Sequence, residues 1–428
     1  MTMVGKGIPK YDGIGHVTGT TKYVNDYYVP GTLICKGLRS PVAKGRVKSI
    51  DTSEAEKLPG VYAVITAKDI PHNVFGGNQP VIAENIRFKG ELIAAVAAID
   101  EDTAQKAVSL IKADIEEETP VFDPIEAMKP DAPKVRPEGN VLMFGDKDYY
   151  LVRCGNVEEG FKEADVIVES EYVFPAADQT PLETQTSLAI PHPNGSLTVY
   201  TTSQCLYGHL TELCNILQMP FSKVNYVGGT IGGGFGAKND LHADPVVAVL
   251  ALKTGKPVKW VWTREEELTV SSIRGGWIMK IKDGVKKDGR IVARQMECIL
   301  DGGAYLGFNE YATTKHAFYC VGPYYIPNVE VKTRCVFTNK PLAGPMRGFA
   351  LTGCAFAADV HIQKDAEAIG MDPFRIRMIN ALRKGEPIHA NSVPPSLSAI
   401  EVMQKIAEEA GVKLSDDLLA MSSEERRA

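Results

Sequence analysis

The sequence predicts an α+β protein, and three observations carry that prediction. Short runs rich in β-branched residues alternate with helical stretches of 3.6-residue spacing, an order that fits neither an all-helical nor an all-strand fold. The composition is that of a folded chain, 44% hydrophobic and 23% charged over 428 residues, which is enough for about two to four domains. A polar, proline-rich passage containing Pro120, Pro124, Pro130, Pro133 and Pro137 separates two such mixed blocks.

In the first block, residues 33–35, 61–65 and 93–97 read as strands. A helix follows Asp100 and Asp102, because Ala104, Ala107, Val108 and Ile111 recur at helical spacing and the acids suit the positive end of its dipole. In the second block, strand-like pieces at 166–168, 197–200, 224–227 and 258–262 are interleaved with helices. Leu206, Leu210, Leu213 and Leu217 share one helical face, and the apolar run 246–253 ends at Gly255-Lys256-Pro257, a helix stop. Gly370-Met371-Asp372-Pro373 closes one helix and opens another. Ser398 and Glu401 are spaced as a capping box for a helix carrying Ile400, Met403 and Ile406. These signals divide the chain into a first domain at 14–125, a linker at 126–140, a second domain at 141–385, and a C-terminal helix and tail at 386–428.

Charge and composition remove several functions. With 47 Lys and Arg against 53 Asp and Glu, the net charge is −6 and no basic cluster exists, so nucleic acid is not an expected partner. The longest apolar runs, 92–99 and 246–252, fall far short of the ~20 residues of a membrane span. The first residues carry neither an apolar signal core nor paired arginines, so a cytoplasmic location is expected. The eight cysteines never form a CxxC pair, which argues against a disulfide framework or an iron–sulfur cluster built from this chain. The eight histidines show no HxH, HxxxH or HExxH spacing and there is no GxSxG elbow, so no side-chain metal ligand set is expected and hydrolases of those kinds are excluded.

The densest chemical signal is Gly228-Gly229-Thr230-Ile231-Gly232-Gly233-Gly234-Phe235-Gly236-Ala237-Lys238-Asn239-Asp240, between a strand and a helix. Glycines let backbone N–H groups approach an anion or an oxygen-rich cofactor closely. Lys238 lacks the flanking Gly and Ser/Thr of a P-loop, and Phe235 spoils a dinucleotide GxGxxG. Arg347, in Pro345-Met346-Arg347-Gly348-Phe349, offers a planar fork for phosphate or carboxylate, or else an ordinary surface ion pair. Gln204, at the end of Thr201-Thr202-Ser203-Gln204, projects from a strand end where sites often lie, or serves as a structural cap.

Taken in order, these segments resemble the molybdenum hydroxylases of the xanthine dehydrogenase and aldehyde oxidase family. The first block resembles the family's small hammerhead domain through 17–23, Asp26, Pro30, Leu33, Ser40, Ala43, 50–51, 59–61 and 63–64. In the second block Pro181-Leu182-Glu183-Thr184-Gln185, Thr202-Ser203-Gln204, the loop 232–238, Asp301-Gly302-Gly303-Ala304-Tyr305 and Met346-Arg347-Gly348-Phe349 follow the pattern of its molybdopterin-binding domain. The likeness runs from about residue 14 to 410.

The resemblance implies a molybdenum oxidoreductase whose metal is held by cofactor sulfurs, consistent with the missing ligand spacings. It implies that Gly233, Gly234, Phe235 and Gly236 bind the cofactor, a molybdopterin cytosine dinucleotide. Gln204 and Arg347 are then the catalytic residues beside the metal, with Arg347 also touching the pterin. Phe349 stacks on an aromatic substrate. Lys315 and Asn239 stand where purine-oxidising members carry an Arg and an acid, so both fall at the substrate; Lys315 then either pairs with an anionic heteroaromatic or is a plain exposed lysine. The family's catalytic glutamate has no counterpart here, so the chain resembles the first half of a divided molybdopterin subunit, an arrangement known in nicotinate dehydrogenase. A second molybdopterin subunit then carries the base and the C-terminal half, and 2Fe-2S clusters and FAD lie on partner subunits. The implied reaction is hydroxylation of a nicotinate- or purine-like N-heteroaromatic with oxygen from water. An aldehyde-oxidising member, or a non-catalytic scaffold half, are the alternatives.

Overall fold

The computed structural model describes residues 3–414, so the polar stretch 424–428 lies outside the described residues. Strands and helices are mixed throughout, as α+β predicts, and the chain forms two compact units. The first comprises residues 1–119 and 178–272; the second comprises 120–177 and 273–428.

The first unit is organised by a seven-stranded mixed sheet in the order Val224–Gly228, Leu197–Thr201, Thr186–Pro191, Val258–Val261, Leu33–Arg39, Leu92–Ala98, Val61–Ile65. Strands from both sequence blocks meet inside it, since Leu33 pairs with Val258 and Ile34 with Lys259 in parallel register. The strand Leu92–Ala98 is apolar without alternation and is buried almost throughout, as expected of a strand covered on both faces. Its Ala94, Val96 and Ala98 pack with Ala104, Ala107 and Val108 of the helix Glu101–Leu110. That helix starts where the acids predict, with the Asp100 carboxylate accepting from the Thr103 amide at 2.8 Å. The helix Asp244–Thr254 is buried from Asp244 to Ala251, opens with Pro245 in its first turn and stops at Gly255 in left-handed conformation. A three-stranded sheet, Asn85–Ile86, Gly45–Asp51, Lys112–Glu117, completes the unit.

The second unit is built on a five-stranded sheet in the order Tyr150–Cys154, Asn328–Phe337, Ile291–Gly303, Trp277–Val285, Val166–Phe174. The proline-rich passage, expected to be a linker, packs on this unit's core: Val121, Ala127 and Val135 are buried there. Asn140 fastens it, accepting from the Val135 amide at 2.7 Å and donating to the Ala127 and Pro133 carbonyls at 3.0 Å. Gly370 ends the helix Thr352–Ile369 in left-handed backbone, and Asp372 caps the next, Pro373–Asn380, as predicted. The capping box at Ser398 does not form: its side chain makes no cap hydrogen bond to the helix Ala399–Glu409, which lies where the apolar spacing predicts and starts without that cap. In the first unit a capping box does form at Thr263 and Glu266, where Thr263 Oγ1 accepts from the Glu266 amide and Glu266 accepts from the Thr263 amide.

Candidate active site

In the first unit, the loop after Val224–Gly228 takes left-handed backbone at Gly233 (φ 98°), Phe235 (φ 53°) and Gly236 (φ 111°). A left-handed phenylalanine is rare outside functional sites, and here its ring is 47% exposed. Among the described residues, the backbone N–H groups of Gly233, Gly234 and Phe235 have no hydrogen-bond acceptor. Successive unpaired amides in such a conformation form a concavity that suits an anion or an oxygen-rich group.

Gln204 is locked against this loop. Its Oε1 accepts from the Gly236 amide at 3.0 Å and the Lys238 amide at 3.3 Å, and its own amide donates to the Lys238 carbonyl at 2.8 Å. Two amide donors fix which end of the carboxamide faces the loop, so the NH2 end is left to donate elsewhere. Gly234 makes the approach possible, because a Cβ there would lie 2.4 Å from Gln204 Oε1.

Behind the loop sits a buried ion pair. Lys238, fully buried, donates from Nζ to Glu183 Oε2 at 2.7 Å, and the same oxygen accepts from the Gly232 amide at 2.7 Å. Burial pulls the Lys238 pKa down, opposed by Glu183. Gln185 ties in the loop's far end, donating from Nε2 to the Ala237 carbonyl at 3.0 Å, while its amide donates to Glu267 Oε2 at 2.8 Å. Asn239 faces inward: its Nδ2 donates to the Gly236 carbonyl at 3.3 Å, and His209 Nε2 donates to its carbonyl at 2.8 Å.

In the second unit, Arg347 is exposed with no hydrogen-bond or ionic partner among the described residues. Gly348 (φ 83°) and Ala350 (φ 63°) turn the chain sharply around Phe349. The Phe349 ring packs on Tyr311 with centroids 5.9 Å apart, and Lys315 Nζ lies 5.7 Å from the Phe349 ring and 5.8 Å from Tyr311. No carboxylate pairs with Lys315 among the described residues. His316, next along the helix Asn309–Tyr319, anchors this turn by donating from Nδ1 to the Ala350 carbonyl at 2.9 Å. It stacks on Trp277 at 3.9 Å, and burial pushes its pKa down to about 4, so it is neutral at pH 7.

Of the sequence-predicted residues, then, Gln204, Gly233, Gly234, Phe235, Gly236 and Asn239 share one unit, and Arg347, Phe349 and Lys315 share the other. Sequence reasoning gave no role to the Glu183–Lys238 pair or to Tyr311. Tyr311 was legible, because it stands four residues before Lys315 on one helix and therefore on the same face. The Glu183–Lys238 contact joins positions 55 apart and leaves no local signal.

The loop thus presents an ordered set of backbone donors beside the Gln204 carboxamide. Residues 142–381 match the molybdopterin cofactor-binding domain family, and residues 18–119 match the aldehyde oxidase and xanthine dehydrogenase a/b hammerhead domain. The chain belongs to the xanthine dehydrogenase and aldehyde oxidase family of molybdopterin-binding proteins. It is 35% identical over 403 residues to a probable xanthine dehydrogenase subunit of Bacillus subtilis, covering 92% of this chain and 53% of that protein. It is 34% identical over 414 residues to the nicotinate dehydrogenase large molybdopterin subunit of Eubacterium barkeri, covering 95% of this chain and 96% of that subunit. Aldehyde oxidoreductase from Desulfovibrio gigas superposes with a TM-score of 0.90 at 26% identity, covering 98% of this chain and 48% of the other. The chain thus spans about half the length of the first and third relatives and nearly all of the second.

The loop fits the molybdenum cofactor on its own chemistry. Three unpaired amides and the Gln204 carboxamide are all donors, and a pterin cofactor with its phosphate and metal-bound oxygens is acceptor-rich.

Proposed function

We propose that this chain is the molybdopterin-binding subunit of a multi-subunit, cytoplasmic molybdenum hydroxylase acting on a nicotinate- or purine-like N-heteroaromatic. The observation that carries the reading is the donor array of Gly233, Gly234, Phe235 and Gln204 in a chain that matches a large molybdopterin subunit end to end. When bound, the cofactor supplies oxygen transfer from water and accepts the electrons. This chain's residues bind and orient. The amides of Gly233, Gly234 and Phe235, with the tight turn at Gly236, hold the cofactor, a molybdopterin cytosine dinucleotide. Gln204 would offer its NH2 group to the cofactor's oxygens, and Arg347, in the second unit, would offer its guanidinium as a charge-assisted donor to the cofactor.

On the substrate side, Phe349 and Tyr311 offer aromatic faces for a heteroaromatic ring, and holding that ring in the reactive orientation lowers the barrier. Lys315, without a carboxylate partner, pairs with an acidic group on the substrate, which favours a carboxylated ring such as nicotinate. Asn239 contributes indirectly by bracing the loop through the Gly236 carbonyl. The general base comes from a second molybdopterin subunit, and electrons leave to 2Fe-2S and FAD centres on further subunits. The eight free cysteines agree with clusters lying elsewhere, since none of them forms a CxxC pair. In this reading the chain carries a hammerhead domain at 14–125 and the first half of a molybdopterin domain at 141–385.

The test is purification of the native complex, elemental and nucleotide analysis, and turnover with nicotinate, hypoxanthine and benzaldehyde. Molybdenum with a cytosine dinucleotide and activity on a heteroaromatic are expected. Turnover of benzaldehyde alone contradicts the substrate reading and favours an aldehyde oxidase. Unchanged turnover in a fully loaded Gln204→Ala complex favours a scaffold role instead.

A further inference from the structure

The second unit contains a buried polar cluster that the proposed reaction does not use. His361 and Asp365 stand four apart on the helix Thr352–Ile369 and so share one face, which meets Asp283 of the strand Trp277–Val285. All three side chains have no exposure. His361 Nε2 lies 3.8 Å from Asp283 Oδ2 and 3.8 Å from Asp365 Oδ1. Those separations are too long for hydrogen bonds. Accordingly His361 Nε2 has no hydrogen-bond partner, and the polar group that Asp365 meets besides it is the Asp283 carboxyl. Two buried carboxyls side by side, facing an imidazole with no partner, are an arrangement that proteins complete with a cation or a proton between the groups.

We propose that Asp283, His361 and Asp365 form a structural site for a divalent transition-metal ion of the zinc or manganese class. Their ligand atoms all lie within 4.8 Å of one another. The two 3.8 Å separations from His361 Nε2 match the edge of a tetrahedron whose bonds are about 2.3 Å, so one ion can take a ligand atom from each of the three residues. The surrounding groups form an outer shell of the kind that steers metal ligands. Arg294 holds the Asp283 carboxylate from two sides, Nε to Oδ1 at 2.8 Å and Nη2 to Oδ2 at 2.5 Å. Tyr172 Oη bonds His361 Nδ1 at 3.0 Å, which leaves Nε2 as the atom turned toward the carboxylates. Burial keeps the imidazole neutral, with a pKa pushed down to about 4, as a ligand requires.

Two carboxylates and a neutral imidazole carry two negative charges, one of which Arg294 already balances; an oxygen- and nitrogen-donor set without thiolate selects zinc or manganese over copper(I) or a cluster. The Arg294 charge lowers the affinity below that of an isolated ligand set, so the ion is expected to be removable by a chelator. Bound there, it pins the strand Trp277–Val285 to the helix that begins three residues after Phe349.

The competing occupant is a proton, with Asp365 as a neutral acid bonded to Asp283. Elemental analysis of the complete purified complex, with Asp365→Asn and His361→Gln complexes beside it, separates the two. Expected is one equivalent of zinc or manganese per chain in the wild type, lost in both variants, and a wild-type melting temperature lowered by a chelator to that of the variants. Equal metal content in all three complexes overturns the proposal, as does an Asp365→Asn complex that melts at or above the wild type. Should the variants fail to assemble, the wild type decides: a complex holding no stoichiometric first-row metal beyond its iron contradicts the site.

Discussion

The loop 228–240 and the segment 345–349 are both turns with left-handed backbone, yet they are held in opposite ways. In the loop almost every polar side chain nearby is spent on the protein itself: Gln204, Glu183, Lys238 and Asn239 all bond loop groups, and what faces outward is backbone amide. In the segment the chain is anchored from beneath by His316; the Arg347 side chain is exposed, and the half-buried Phe349 ring meets Tyr311 and Lys315 of the neighbouring helix. Backbone donors held by buried contacts recognise a constant partner. Side chains on a braced turn can be exchanged without refolding the turn. Under the proposed function the contrast suits the loop to a cofactor shared across the family, and Phe349 and Lys315 to a substrate, which varies between relatives named for xanthine, nicotinate and aldehydes.

The largest expected effect breaks the loop. Lys238→Met leaves the half-buried Glu183 beside Gly232 without its cation; removing one partner of a fully buried pair costs about 3 to 5 kcal/mol, and the partial exposure of Glu183 puts the cost at or below the low end. Loss of soluble, molybdenum-loaded complex is expected, measured by melting temperature and metal content. A Lys238→Met complex with wild-type loading and stability would show that the loop holds its shape without the pair.

A second effect tests the anchor of the segment. His316 has a folded pKa of about 4 against 6.5 unfolded, so between those values the unfolded chain binds a proton that the folded chain refuses. Its contribution is full above pH 6.5 and is lost as pH falls toward 4, by roughly 3 kcal/mol over the whole interval. Urea melts from pH 7 to 4.5 are expected to show falling stability, with a shallower fall in His316→Gln. Equal slopes in the two proteins would contradict the assignment.

Smaller effects separate the outward-facing side chains. Phe349→Ala is expected to lower turnover by roughly 10- to 100-fold, as loss of about 1.4 to 3 kcal/mol of ring orientation implies, with molybdenum content unchanged. Arg347→Ala, losing a charge-assisted donor of about 1.5 to 3 kcal/mol, is expected to lower molybdenum occupancy as well as rate. Lys315→Gln is the mildest and the most selective: KM for a carboxylated ring rises about tenfold, near 1.4 kcal/mol, and KM for a neutral ring stays constant. A uniform change for both substrates would remove Lys315 from the recognition of charge.

Much of this was legible in the sequence because it is local. The strand, the crowded glycines and the following helix lie within 30 residues, and Asp100, Gly255 and Asp372 mark helix ends by their own chemistry. What was not legible is made by distant pairs. Nothing near Leu33 announces that it pairs with Val258 in one sheet, and nothing near Glu183 announces Lys238. The passage 126–140 looks like a tether by composition, but Asn140 satisfies its backbone and buries it. Ser398 has the right spacing for a cap and does not make it. The His361–Asp365 spacing was visible, but its meaning depends on Asp283, which a different strand supplies.

The central claim is that the unpaired amides of Gly233, Gly234 and Phe235, set by Gln204, hold the molybdenum cofactor. Gly234→Ala addresses it most directly, since the added methyl would stand 2.4 Å from Gln204 Oε1 and must displace either the carboxamide or the loop. The measurement is molybdenum per chain in the purified complex, wild type against Gly234→Ala, at matched melting temperature. The expected result is near-stoichiometric molybdenum in the wild type and a large loss in the variant. Wild-type occupancy in Gly234→Ala, or a correctly assembled wild-type complex without molybdenum, would contradict the claim.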